Sequence, residues 1–314
     1  MAPGLSAPDA PRPLVCVVGP TAAGKSALGL ALALEFEAEI VSCDSLQVYR
    51  GLDVGSAKPT AEERGRVRHH LVDVAEPDEP FSAARYAQLA RAALDDIAAR
   101  GKRALVVGGT GLYLRALLHG LFAGPGRDER LRGLLEGWAD QFGDARLHAR
   151  LARVDPETAA RVKPRDRVRV VRALEVFRAT RRPLSAHFRD QSGALLGWRP
   201  LVLVLDPPRE ELRARVEART DAMLAAGLID ETRALLARGL SPELRPLQAI
   251  GYRQALAVIA GRMTPADARR DIVQATLRYA KRQRTWFRHQ AAAQWHARSD
   301  EAARAARAFW GGAT

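Results

Sequence analysis

A chain of 314 residues with 47% apolar side chains has room for one large domain or two smaller ones around a substantial core. Its formal net charge of +13 is more than a small-molecule enzyme needs, and fits either a polyanionic partner or a solvated basic surface. The two cysteines, Cys16 and Cys43, exclude a disulfide framework and a zinc site and fit a reducing cytoplasm, and no run of ~18 apolar residues predicts a membrane span.

Residues 1–13 hold four prolines and read as a loose tail without a signal peptide. Leu14–Val18 is apolar and β-prone, and Ala27–Leu34 is rich in helix formers. Between them stands Gly19-Pro20-Thr21-Ala22-Ala23-Gly24-Lys25-Ser26, the spacing of a phosphate loop in the strand–loop–helix context that its mechanism requires. Backbone N–H groups and the helix N-terminus face an anion there. Lys25 can reach phosphate oxygens, and the Ser26 hydroxyl can sit on Mg²⁺. The loop implies a bound di- or triphosphate, usually a nucleotide such as ATP, and leaves its identity open.

Further strands are predicted at Glu39–Cys43, His70–Val74, Ala104–Val107 and Leu201–Leu205, with helices between them, including Ala83–Arg100. This alternation predicts an α/β fold: a P-loop NTPase-like parallel sheet covered by helices on both faces. Asp44, Ser45, Leu46 and Gln47 follow the second strand. In an open parallel sheet that end faces the ligand crevice, so Asp44 is a candidate either to hold a metal through water or to take a proton from a nucleophile. It also suits a plain cap. Two more glycine-rich turns, 51–59 and 108–113, point to the same edge; the first offers the Ser56 hydroxyl and the Lys58 ammonium, the second Thr110.

From about Leu114 to Trp198 no strand is evident. The stretch reads as an all-helical, Arg-rich insert, assigned to 115–198, within a core of 14–114 and 199–298. In it Arg165, Arg169 and Arg172 share one helical face and Val168, Val171 and Leu174 another. Helices are expected across Arg209–Gly239 and Thr264–Arg288, and residues 299–314 are expected to fray. Arg278–Arg288 interleaves basic and aromatic residues, which suits RNA as well as it suits a helix end against a core.

The phosphate loop, Asp44–Arg50, Ser56–Pro59, Gly108–Tyr113, Arg172–Glu175, Ile250–Gln254 and Arg278–Gln283 together, in this order, resemble the bacterial tRNA dimethylallyltransferase family over about residues 14–290. The resemblance implies a cytoplasmic, monomeric enzyme that uses Mg²⁺. It would transfer the five-carbon group of dimethylallyl diphosphate to N6 of the adenine 3′ of the tRNA anticodon. The phosphate loop then holds a prenyl diphosphate, Asp44 is the base, and Lys25, Thr21 and Arg219 (with Arg215 the second choice) attend the diphosphate. Asp44 to Gln47 meet the target base and Thr110 lies against the tRNA. The insert grips the anticodon stem-loop, with Val168, Arg169, Val170, Val171 and Arg172 as contacts, joined by Gln248, Gly251, Tyr252 and Arg253. Two other readings stay open on the residues alone. One is an ATP-dependent small-molecule kinase, in which Asp206 after the last strand supports Mg²⁺. The other is a nucleotide-switched RNA binder.

Overall fold

The computed structural model describes residues 11–121, 124–126, 128–189, 193–290 and 292–311. In chain order they form β1 (Arg12–Val18), α1 (Lys25–Glu35), β2 (Ala38–Cys43), α2 (Ala61–Arg66), β3 (His69–His70), α3 (Ala83–Ala99), β4 (Arg103–Gly108) and α4 (Gly111–His119). There follow α5 (Glu129–Phe142), α6 (Asp144–Val154), α7 (Pro156–Arg161), α8 (Arg167–Thr180), α9 (Leu184–Arg189), β5 (Trp198–Leu205) and α10 (Arg209–Ala225). The last elements are α11 (Leu228–Ala237), α12 (Tyr252–Ile259), α13 (Pro265–Gln290), β6 (Gln294–His296) and α14 (Ser299–Gly311).

The chain divides into two compact units, 1–118 with 195–314, and 119–194. In the first, six parallel strands lie in the order β3-β2-β4-β1-β5-β6. The central strands are runs such as Val15-Cys16-Val17-Val18 and Leu105-Val106-Val107, buried on both faces because helices cover both. One face packs on α3, where Tyr86, Leu94 and Ile97 are fully buried; the other packs on α1 and α14 through Leu28, Leu32 and Trp310. The chain goes from β1 outward to β2 and β3, returns through β4, and then crosses to β5 and β6 on the other side. That reversal at β1 opens a crevice at the strand C-termini, where the phosphate loop sits.

The second unit is helical, as expected, and extends over 119–194 rather than 115–198, because Leu117, Leu118, Leu195 and Trp198 belong to the sheet's core. Its own core gathers Leu147, Leu151, Val170, Val171, Val176 and Leu184. Glu175 is buried there and accepts from Asp128 N, Arg132 Nε and Arg172 Nη1, so its charge is matched.

Three expectations fail for physical reasons. The strand placed at His70–Val74 is only His69–His70, since Leu71 and Asp73 turn the chain at positive φ and Asp73 is drawn to Lys58 and Arg64. The loose tail gives way by Arg12, which already pairs in β1; residues 1–10 lie outside the described part. Residues 299–311 do not fray: Ala302, Ala306 and Trp310 recur every four residues and bury a stripe of α14 against α1 and β5. Trp310 is 0% exposed and packs on Phe36 at 4.9 Å between ring centroids. Trp310→Ala is therefore expected to lower the unfolding free energy by about 3–5 kcal/mol in a urea titration. A loss near zero would mean that α14 adds nothing to the core.

Candidate active site

The phosphate loop leaves β1, and α1 begins at Lys25, so the first turn of that helix leaves its N–H groups directed at the crevice. Lys25 Nζ donates to the Pro20 carbonyl at 2.6 Å. Burial, and then the nearby Arg219 charge, lower its pKa to about 7, against the opposite pull of Asp44 and Cys43. Arg219, from α10, donates to Thr21 Oγ1 at 3.3 Å. Arg215 instead holds the Ala23 carbonyl at 3.0 Å and pairs with Glu211, which fastens the loop from its outer side.

Asp44 follows β2 directly and is both cap and cavity wall. Its Oδ1 accepts from Leu46 N at 2.8 Å and Gln47 N at 3.3 Å, which fixes the carboxylate where it lines the cavity. Gln47 accepts from Ser42 Oγ and donates to the Ala57 carbonyl at 3.1 Å. Thr110 accepts from Ser45 N at 3.0 Å, so its hydroxyl ties the loop after β2 to the loop after β4. Those two loops lie so close that a Cβ at Gly108 would overlap the Cys43 carbonyl.

These groups enclose a cavity of about 260 Å³. Thr21, Lys25, Ser26, Asp44, Gln47 and Arg219 line its polar part, and Leu30, Ile40 and Val107 an apolar wall. Lys25, Ser26 and Arg219 also border a second, more open cavity on the side of α14. The surroundings therefore offer cationic and N–H groups for a diphosphate, a fixed carboxylate, and apolar surface beside both.

Other expectations move. Ser56 lines the cavity but its hydroxyl donates to the Leu52 carbonyl, and Lys58, with a side chain 2% exposed, is held by the Tyr49 carbonyl, Asp53 and Asp73, away from the cavity wall. Val170 and Val171 are fully buried in the core of the helical unit and Tyr252 in that of the sheet unit, so their side chains cannot meet tRNA. Gly251 is likewise buried, its N–H donated to Gln254 Oε1. Arg172 is engaged with Glu175 and the Pro125 carbonyl. By contrast Val168 is 70% exposed, and Arg169, Gln248 and Arg253 are exposed too. Asp206 is paired with Arg284 at 2.6 Å and lies outside the cavity wall, which removes the carboxylate that the kinase reading needs.

Gln283 and Tyr279 belong to the site although the sequence did not single them out. Both line the cavity from α13. Gln283 accepts from Thr21 N and donates to the Gly109 carbonyl, each at 2.8 Å, and so bridges two loops. The only signal was their place in the Arg278–Gln283 block. The rest of that segment divides by face: Phe287 is buried, while Lys281, Arg282 and Arg288 are exposed.

No group of three or more His, Cys, Asp or Glu gathers as a metal site among the described residues. A magnesium ion needs few protein ligands beside a diphosphate, and the Ser26 hydroxyl and Asp44 carboxylate on one cavity are hard oxygens of the kind it takes.

The lowered pKa of Lys25 has a measurable consequence. A diphosphate favours the ammonium form, so its binding takes up a proton where free Lys25 is neutral. The kcat/KM for the diphosphate substrate is expected to fall as pH rises through about 7, with that limb moved well upward in Lys25→Arg. An unchanged limb in the variant would assign the titration elsewhere.

Comparison with known proteins agrees with this geometry. A family model described as IPP transferase matches residues 47–290. The chain is 50% identical over 287 residues to a tRNA dimethylallyltransferase of Anaeromyxobacter sp. (strain Fw109-5), covering 90% of this chain and 93% of that one. It is 49% identical over 293 residues to tRNA dimethylallyltransferase 1 of Trichlorobacter lovleyi, covering 93% and 96%. Among solved structures it resembles the full-length tRNA isopentenylpyrophosphate transferase of Bacillus halodurans, with a TM-score of 0.69, 37% identity and 96% of both chains covered. It also resembles a eukaryotic dimethylallyltransferase acting on tRNA, with a TM-score of 0.75, 28% identity, and 88% of this chain and 70% of that one covered. The likeness to these enzymes runs over nearly the whole chain, which therefore belongs to the IPP transferase family of tRNA dimethylallyltransferases.

Proposed function

We propose that this enzyme, which transfers dimethylallyl groups to tRNA, acts on N6 of the adenine 3′-adjacent to the anticodon and releases diphosphate. The observation that carries the reading is the cavity in which Asp44, Lys25, Thr21 and Arg219 meet beside an apolar wall. Heterolysis of the allylic C–O bond puts negative charge on the departing diphosphate. The loop N–H groups, Lys25 and Arg219 are aimed at that charge. The allylic carbon gains cation character as the bond opens. The exocyclic amine of adenine is a weak nucleophile, so it benefits from a base that takes its proton as the new C–N bond forms. Asp44 is that base: its backbone bonds hold it still, and it shares the cavity with the diphosphate groups. Magnesium, held by the Ser26 hydroxyl and by Asp44 through water, would neutralise charge on the leaving group.

The target adenine has to leave its stack to reach this cavity. Gln47 and the backbone of Ser45 and Leu46 stand at the Asp44 turn to meet it. The exposed arginines of the helical unit, Arg165 and Arg169 with Val168 beside them, supply the electrostatic grip on the anticodon stem-loop, as Arg253 and Gln248 do on the sheet unit. The enzyme's two buried free cysteines fit the cytoplasm. No helix among the described residues is long and apolar enough to cross a membrane.

Asp44→Ala is expected to reduce prenyl transfer by about 10²–10⁴-fold or more with little change in tRNA affinity, followed as incorporation of labelled donor into RNA. Near-normal turnover would remove Asp44 from the chemistry. Affinity for the stem-loop is expected to fall log-linearly with salt between roughly 50 and 200 mM; a flat response would leave the exposed arginines without a role.

A further inference from the structure

Glu231, on α11, is joined to the active site by a chain of short contacts that the reaction as described does not use. Its carboxylate accepts three consecutive backbone N–H groups, from Asp53 at 3.0 Å, Val54 at 2.7 Å and Gly55 at 3.3 Å, and a fourth bond from the Tyr252 hydroxyl at 2.7 Å. The Tyr252 ring fills the space where a side chain at position 55 would stand, so only glycine lets the loop close onto it. Two residues further on, the same loop presents the Ala57 carbonyl to Gln47 Nε2 at 3.1 Å, and Ala57 lines the cavity. The Gln47 backbone N–H is in turn one of the two donors that hold Asp44 Oδ1.

We propose that Glu231 is a positioning residue for prenyl transfer, fixing the 53–57 loop so that Ala57 holds Gln47, and Gln47 the Asp44 carboxylate, in the geometry the target base requires. The proposal rests on the dimethylallyltransferase reading. A carboxylate suits the task because it is acceptor-only and takes four donors at once, and bonds from N–H to a charged oxygen are stronger than those to a neutral one. Glutamine in its place offers a single acceptor oxygen and brings an NH₂ against the same N–H groups, so the loop loses its anchor without a change of side-chain volume. Burial and the Glu231 charge raise the Tyr252 pKa, which keeps the phenol a donor at all working pH values. The main effect is on the bond-making step: Glu231 itself bonds to Asp53, Val54, Gly55 and Tyr252, and the loop it holds reaches the diphosphate groups through a long bond, 3.5 Å, from Arg219 to the Ser56 carbonyl.

The test is a double-mutant cycle in the labelled-transfer assay, with wild type, Glu231→Gln, Gln47→Ala and the double variant compared per folded molecule. Glu231→Gln is expected to lower kcat by about 10–100-fold with KM for donor and for RNA little changed. Because Glu231 acts through Gln47, the double variant is expected to fall to about the level of Gln47→Ala alone, within roughly twofold. Losses that multiply, or a kcat that is intact once the folded fraction is counted, would make Glu231 a scaffold residue only and overturn the proposal. Tyr252→Phe, which removes one bond and keeps the shape, supplies the same cycle if Glu231→Gln does not fold. Wild type that transfers nothing would overturn the functional reading itself, and is told apart from a failed cycle in an active enzyme.

Discussion

The structure depends on how closely three loops approach one another at the C-terminal edge of the sheet. The loops after β1, β2 and β4 carry the phosphate-binding groups, the carboxylate and the glycine-rich turn. They converge because their strands are neighbours or one apart in the sheet. They stay together because polar groups from elsewhere bridge them: Gln283 between Thr21 and Gly109, and Thr110 between its own loop and Ser45. Charge follows from that convergence. Burial disfavours the charged forms of both Lys25 and Arg219, the Arg219 charge weighs further against the Lys25 proton, and Asp44 partly offsets both. A diphosphate placed among them relieves the conflict, which is why the arrangement suits an anion of high charge.

A phosphate loop ordinarily serves ATP chemistry, and the departure here lies in its surroundings. The aspartate after β5, where a kinase would use a carboxylate, is spent on Arg284. The carboxylate on the cavity, Asp44, comes from the turn after β2 and shares that cavity with Leu30, Ile40 and Val107. A leaving group that needs cationic support, beside an allylic carbon that needs apolar surface, matches that division better than transfer of a phosphoryl group does.

Much of this was legible in the sequence. The central strands are short, doubly buried apolar runs, and the phosphate loop announces itself by spacing and context. Asp44 follows from strand order and the rule of the C-terminal crevice. What was missed depended on long-range partners. Gln283 and Thr21 are 262 residues apart, and nothing local marks that glutamine as a bridge. The Ile250–Gln254 block looks like a recognition motif, yet Tyr252 packs at Gly55 and bonds Glu231, and Gln254 bonds Gly251 and Asp271; those two residues brace the structure beside the cavity, and Arg253 between them stays exposed. Val170 and Val171 sit beside arginines in sequence but on the inner face of α8, so adjacency misled where helical phase decides. The alanines of α14 hid a buried stripe, because alanine adds little to a hydrophobic pattern while packing closely.

The central claim is that this phosphate loop holds a prenyl diphosphate and delivers its prenyl group to RNA. It is tested most directly by incubating the wild-type enzyme with labelled dimethylallyl diphosphate and an unmodified anticodon stem-loop carrying adenine 3′ of the anticodon, beside an ATP-hydrolysis assay on the same preparation. Label in the RNA, confined to that adenine, with ATP left intact, is the result this account requires. ATP turnover without label in the RNA would contradict it and return the loop to a nucleotide.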